Sequence, residues 1–201
     1  MLYNNELKAI YLAPPKTGTR SMNLVLHNQY KFKQYKAPHF DKIPNQFKDY
    51  YSFITVRNPY DRIVSTWWFF FKNEKKFQQK FFFTEDLRSN TQDLNRETLL
   101  LEFLQYIKDN REIRKAGFRY LQPQSHYIDN NKIDKFLNLE DIENEFKTLF
   151  FYKELDKKFP IINTSKNKDE TFNYINNESL LLINELYEDD FDKLKYEKII
   201  N

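Results

Sequence analysis

Apolar residues in this chain occur in two kinds of pattern. Two short runs, Ala9-Ile10-Tyr11-Leu12-Ala13 and Tyr51-Ser52-Phe53-Ile54-Thr55-Val56, are rich in aliphatic, aromatic and β-branched side chains and predict buried strands. Elsewhere the apolar positions recur at helical spacing. Met22, Leu24, Val25 and Leu26 predict a helix directly after the first run. Ile63, Val64, Trp67, Trp68 and Phe71 predict one after the second, with Asn58 and Pro59 suited to its N-cap and first helical position. Leu99, Leu100, Phe103, Leu104 and Ile107 predict a helix over residues 97–107, and Ile142, Phe146, Leu149 and Phe150 one over 139–155. A last helix is expected from Asn177, burying Leu181, Leu182, Ile183 and Leu186. Strands alternating with helices predict an α/β fold with a central, mostly parallel sheet and helices on both faces.

The polar joints between these elements carry the candidate chemistry. The first strand passes to its helix through Pro15-Lys16-Thr17-Gly18-Thr19-Arg20-Ser21, which holds one of the chain's 2 glycines. A helix start offers unpaired N–H groups and the positive end of a dipole, so a basic, hydroxyl-rich turn at that place suits an anion. Gly18 is the residue that would turn with positive φ or let the backbone approach the anion. The lysine lies two residues before the glycine, unlike the Walker arrangement, in which Gly-Lys-Ser/Thr closes the loop. The second strand ends at Arg57, where open α/β sheets bind ligands at the carboxyl ends of their strands. Strand, basic residue and helix thus follow one another twice.

These two joints resemble the sulfotransferases that use 3′-phosphoadenosine 5′-phosphosulfate. Residues 15–19 match the Pro-Lys-x-Gly-Thr type of 5′-phosphosulfate loop. Arg57 and Ser65, eight positions apart in Val56-Arg57-Asn58-Pro59-Tyr60-Asp61-Arg62-Ile63-Val64-Ser65, match the 3′-phosphate element. Weaker similarity to carbohydrate-type members runs through Gln124-Ser125-His126-Tyr127-Ile128, residues 133–142, Asn163-Thr164-Ser165-Lys166 and residues 186–191, whereas residues 72–118 align with nothing. The resemblance implies a P-loop-like fold: one domain over residues 1–201, with a central parallel sheet flanked by helices on both faces. It implies sulfuryl transfer to an acceptor hydroxyl, a saccharide being the acceptor type suggested. The donor would be held by Lys16, Thr17, Gly18, Thr19, Arg20, Ser21, Arg57 and Ser65, with no metal. Lys16 would follow charge onto the leaving oxygen, backbone N–H groups of residues 17–21 would hold the 5′-phosphate, and the Thr19 and Ser21 hydroxyls would add donors.

The acceptor must lose a proton. Of the 3 histidines, His27 falls inside the first helix, where a surface or packing role is expected. His39 lies between the two anion-binding joints, the interval in which members of the resembled family carry their base, and it is the expected general base. His126, with Gln124, is expected to touch the acceptor and is the alternative base; a carboxylate is the third.

Composition narrows the rest. With 201 residues, 20 Phe and 14 Tyr, the chain is long enough for a core built largely from rings. A net charge of +3 gives no case for a general nucleic-acid binder, and Lys72, Lys75, Lys76 and Lys80 read as a solvated helix face. With no cysteine there is neither a disulfide framework nor thiolate chemistry. The first residues lack the apolar core of a signal peptide, and the longest apolar run, residues 63–71, is far short of the ~20 needed to span a bilayer. The expectation is a cytoplasmic or otherwise soluble intracellular enzyme without membrane insertion, its oligomeric state unspecified. A nucleotide or small-molecule kinase, and a non-catalytic module that binds adenosine 3′,5′-bisphosphate, are the alternatives; the missing Walker pattern counts against the kinase.

Overall fold

The structure is a computed structural model that describes residues 1–36, 39–72, 96–110, 119–155, 158–160 and 171–200. In chain order these form β1 (Leu2–Asn4), β2 (Ala9–Leu12), α1 (Thr19–Asn28), β3 (Lys33–Gln34), β4 (Tyr51–Val56), α2 (Pro59–Lys72), α3 (Arg96–Asp109), α4 (Ser125–Asp129), β5 (Lys135–Asn138), α5 (Ile142–Lys147), α6 (Asn177–Leu186) and α7 (Glu188–Leu194), with short 3-10 turns between some of them. They fall into two compact units, Met1–Asn58 with Gln122–Thr164, and Pro59–Leu121 with Ser165–Asn201.

The first unit is built on one five-stranded sheet of order β3-β1-β2-β4-β5. Its inner part is the parallel arrangement expected: β2 pairs with β4, Leu12 opposite Ile54, and β4 with β5, Thr55 opposite Leu137. The sheet as a whole is mixed, because β1 runs antiparallel to both β2 and β3. Leu2-Tyr3-Asn4 is too short to announce a strand; side-chain bonding secures it instead. The Asn4 amide accepts from the Leu7 N–H at 2.8 Å, which closes the turn into β2, and donates to the Tyr30 carbonyl at 2.6 Å.

Register puts Leu2, Tyr11, Phe53 and Leu137 on one face of this sheet, since side chains alternate along a strand. There they meet Met22, Val25 and Leu26 of α1 and Ile142 and Phe146 of α5, all buried. The core is largely aromatic. The Phe53 ring lies 5.3 Å from Tyr11, 6.1 Å from Phe32 and 5.6 Å from Phe151, at angles from tilted to perpendicular. Ile10, Leu12, Ile54 and Val56, on the opposite face, are buried as well.

The helix expected over residues 139–155 is much shorter, Ile142–Lys147. Leu149, Phe150 and Phe151 explain why. Leu149 and Phe151 are buried while Phe150 is 61 % exposed, and the backbone here makes short turns, Leu149 N–H to the Phe146 carbonyl and Tyr152 N–H to the Leu149 carbonyl, in place of a continued helical ladder. Thr148 closes the helix, its hydroxyl donating to the Glu145 carbonyl at 2.7 Å.

The second unit is helical. Ile63, Val64, Trp67 and Phe70 of α2 pack with Leu99, Leu100, Phe103, Leu104 and Ile107 of α3 and with Leu180, Ile183 and Leu186 of α6. Helix α2 begins at Pro59 and α3 covers the expected 97–107, whereas α6 buries Leu180 and leaves Leu181 64 % exposed, correcting the face assigned to it. Asn176 caps α6, its side chain accepting the Ser179 N–H at 2.8 Å. Arg62 is buried with Asp190, 4.0 Å away, and donates to the Tyr120 carbonyl. Residues 163–166 and Lys75, Lys76 and Lys80 lie outside the described residues.

Two substitutions test this account of the cores. Phe53→Ala removes a ring packed among four others and is expected to cost about 3–5 kcal/mol, read as a lower denaturation midpoint. Leu181→Ser is expected to stay within about 0.5 kcal/mol of the wild type; an equal loss in both would contradict the assigned faces.

Candidate active site

Parallel pairing of β2 and β4 makes their carboxyl ends adjacent, so the turn after β2 and the residue after β4 emerge at the same edge of the sheet. The turn is sharply wound. Lys16 and Gly18 both have positive φ, 69° and 76°, on either side of the buried Thr17. Gly18 then stands as N-cap of α1, with no side-chain cap of its own. Its lack of a side chain matters twice: the left-handed conformation disfavours a Cβ, and a Cβ there would lie 2.4 Å from Cδ1 of Leu139. The first bond of the helical ladder runs from the Met22 N–H to the Gly18 carbonyl, so the N–H groups of Thr19 and Arg20 precede that ladder. The Thr17 and Thr19 hydroxyls both donate to the Pro14 carbonyl, at 2.8 and 3.1 Å. These bonds brace the turn from within, so what the two threonines offer outward is their backbone. Ser21 is nearly buried in the first turn of α1.

Cations converge on this turn. Burial holds the Lys16 ammonium at a pKa of about 8, and the charges of Arg57 and Arg20 push the same way. Arg57 and Arg20 thus each act on the charge of Lys16 at this helix start, a field that a multiply charged anion would relieve. The Arg57 guanidinium donates to the Lys16 carbonyl at 3.4 Å, tying the strand end to the loop. Its backbone is held independently. Arg57 N–H donates to the Gln124 side-chain oxygen at 2.9 Å, and the Gln124 side-chain nitrogen donates to the Arg57 carbonyl at 2.8 Å. Gln124 is fully buried.

His39 sits at the same end of the unit. Its Nδ1 lies 2.5 Å from the carbonyl of Ala13, the residue after β2. A carbonyl can only accept, so Nδ1 carries the proton, and in the neutral ring Nε2 is the basic nitrogen. The residue itself has φ 57°, and its carbonyl accepts from the Tyr127 hydroxyl at 3.3 Å. His126, on α4, is engaged elsewhere: its Nε2 lies 3.0 Å from the Asp41 carboxylate. His27 is half-buried on α1, its Nδ1 lying 2.6 Å from the Phe32 carbonyl. Ser65 is half-buried on α2, in the second unit.

Lys16, Arg20, Arg57, Gln124 and His39 thus belong to one sheet end and the turns around it. Sequence reasoning did not single out Asp41 or Asn131, and it met Tyr127 and Leu139 only inside stretches of weak family similarity. Asp41 and Asn131 are joined by a bond across 90 positions, and no local spacing could reveal it. Leu139 was visible only as the end of an apolar stretch. Among the described residues no group of three or more His, Asp or Glu side chains could hold a metal ion, and no helix is long and apolar enough to cross a membrane.

Comparisons with curated proteins and with solved structures gave no match. A family model does match, over residues 6–197, and so takes in both joints and nearly the whole chain. On that match the chain belongs to the sulfotransferase family.

Proposed function

We propose that the chain transfers a sulfuryl group from 3′-phosphoadenosine 5′-phosphosulfate to an acceptor hydroxyl, with a saccharide as the acceptor class. The observation that carries this reading is the crowding of Lys16 with Arg57 and Arg20 at the left-handed turn before α1. The residues suit such a donor: a basic helix start accepts a 5′-phosphosulfate group, and a planar guanidinium at a strand end can pair bidentately with a 3′-phosphate. In this reading the N–H groups of residues 17–21 take the 5′ side, and Ser65 keeps the part that the family resemblance implies for it. The two units act as one catalytic domain, a reading supported by a family match that runs through both.

Sulfuryl transfer is an in-line displacement in which the protein positions the groups and stabilises charge, as in phosphoryl transfer. As the acceptor oxygen bonds to sulfur, the bridging S–O bond breaks and its electron pair stays on the departing phosphate oxygen. Lys16, on a flexible stem, meets that growing charge. The acceptor proton passes to Nε2 of His39, the nitrogen left basic by the Nδ1–H bond to Ala13. Gln124 takes a positioning role through Arg57, with its amide turned to that residue's backbone. Labelled donor offered to a panel of saccharides and simple phenols tests the activity; label transfer from ATP instead would favour a kinase, and no transfer from either would favour a binding module.

Three outcomes follow for the site. Arg57→Ala should weaken adenosine 3′,5′-bisphosphate more than adenosine 5′-phosphate, by about 1.5–3 kcal/mol in calorimetry, the worth of a charged hydrogen bond. Equal losses for the two nucleotides would take Arg57 out of the 3′-phosphate site.

Bisphosphate affinity should also fall as pH rises through about 8, where the Lys16 ammonium loses its proton in the free protein. The ligand's phosphates, with second pKa near about 6, are already ionised there. The sign follows from the anion's preference for charged Lys16, and Lys16→Met should abolish the inflection.

His39→Ala should cut turnover by at least ~10²-fold with bisphosphate affinity unchanged. An active His39→Ala beside a dead His126→Ala would move the base to His126, and activity in both would give the role to a carboxylate.

A further inference from the structure

We propose that residues 124–131, centred on α4, are a positioning element for the active site: the first residue sets Arg57, and the far end sets the segment that carries His39. The inference rests on the function proposed for those two residues, extends the role of Gln124 to the whole segment and assigns new roles to His126, Asn131 and Asp41.

At the near end, the Gln124 amide pairs with both backbone groups of Arg57, at 2.9 and 2.8 Å. An amide side chain used in this way imitates a neighbouring strand for one residue beyond the end of β4, where the ladder with β5 stops at Val56 opposite Asn138. It fixes φ and ψ at the residue whose guanidinium reaches the loop. Being fully buried, Gln124 has no competing water at the surface.

At the far end, four bonds from three side chains hold residues 39–43. The Tyr127 hydroxyl donates to the His39 carbonyl. His126 Nε2 pairs with the Asp41 carboxylate at 3.0 Å. The Asn131 side-chain nitrogen donates to the Asp41 carbonyl at 2.7 Å, and its oxygen accepts the Ile43 N–H at 2.6 Å. A second bond from Asn131 to the Tyr127 carbonyl, 2.6 Å, anchors it to α4. His39 has a left-handed backbone without being glycine, a conformation that must be held from outside. The bonds from α4 hold it, and they keep Nδ1 against Ala13. Arg57 and His39 are thus referenced to the same short segment, which fixes a donor-site cation relative to a base.

Two kinds of variant separate the two ends. Gln124→Leu keeps the bulk and removes both bonds to Arg57. Hydrogen exchange at the Arg57 amide should speed up and adenosine 3′,5′-bisphosphate should bind about tenfold more weakly, the worth of one or two hydrogen bonds. The His39 ring signals should not move. Asn131→Ala and His126→Ala should do the reverse. Bisphosphate affinity stays as in the wild type, while nitrogen NMR shows His39 leaving the single Nδ1–H tautomer for a mixture. His126→Gln, which can still donate to Asp41, should restore the wild-type signal. Should Gln124→Leu fail to fold, Gln124→Glu serves, since its carboxylate accepts from the Arg57 N–H but cannot donate to the Arg57 carbonyl. Unchanged Arg57 exchange in the Gln124 variant, an unmoved His39 ring in the other two, or the same changes in all of them would overturn the proposal. A wild-type protein that binds no bisphosphate would defeat the functional reading instead, and the exchange rates and ring signals would still decide the positioning role.

Discussion

The parallel register of β2 against β4 is the constraint on which the site depends. With Leu12 opposite Ile54, the chain leaves both strands at one edge, and the residues that follow, Ala13 to Gly18 and Arg57, are brought together. Shifting that register by one residue would turn Tyr11 and Phe53 out of the aromatic core. The packing of Phe53 with Tyr11, Phe32 and Phe151 therefore also fixes where the cations stand. Core and site are specified by the same interaction.

Burial, and after it the crowding of cations, imposes a cost that is visible in the lowered pKa of Lys16. Within the first unit the Lys16 carbonyl accepts from Arg57, and Gln124 bonds the Arg57 backbone, so neither contact neutralises charge. The Glu140 carboxylate accepts from the backbone N–H of Asn58 at 2.7 Å. Gln124 thus sets the Arg57 backbone, and Glu140 the backbone N–H that follows it, without either drawing on the guanidinium.

Much of this was legible in the sequence, because the informative features were local. Strand, loop and helix around Gly18 follow from contiguous residues, as does the start of α2 at Pro59. The antiparallel edge did not, since β1 has three residues and owes its place to Asn4 and its distant partner Tyr30. The short α5 was misread because helical spacing and the alternation at residues 149–151 coincide at Leu149 and Phe150. In the site, residue types were readable but their partners were not. Gln124 stands 67 positions from Arg57, and Asp41 stands 85 from His126. Sequence patterns report which side chains can do chemistry; the groups that aim them come from elsewhere in the chain and carry ordinary polar identities.

The Ala13 carbonyl joins these strands of argument. It belongs to the first residue after β2, where no further ladder bond to β4 takes it up, and His39 Nδ1 lies against it. The end of the strand thereby decides the histidine's tautomer. The end of β2 thus sets two things together: where the turn toward Lys16 and Gly18 begins, and the acceptor that leaves Nε2 as the basic ring nitrogen of neutral His39.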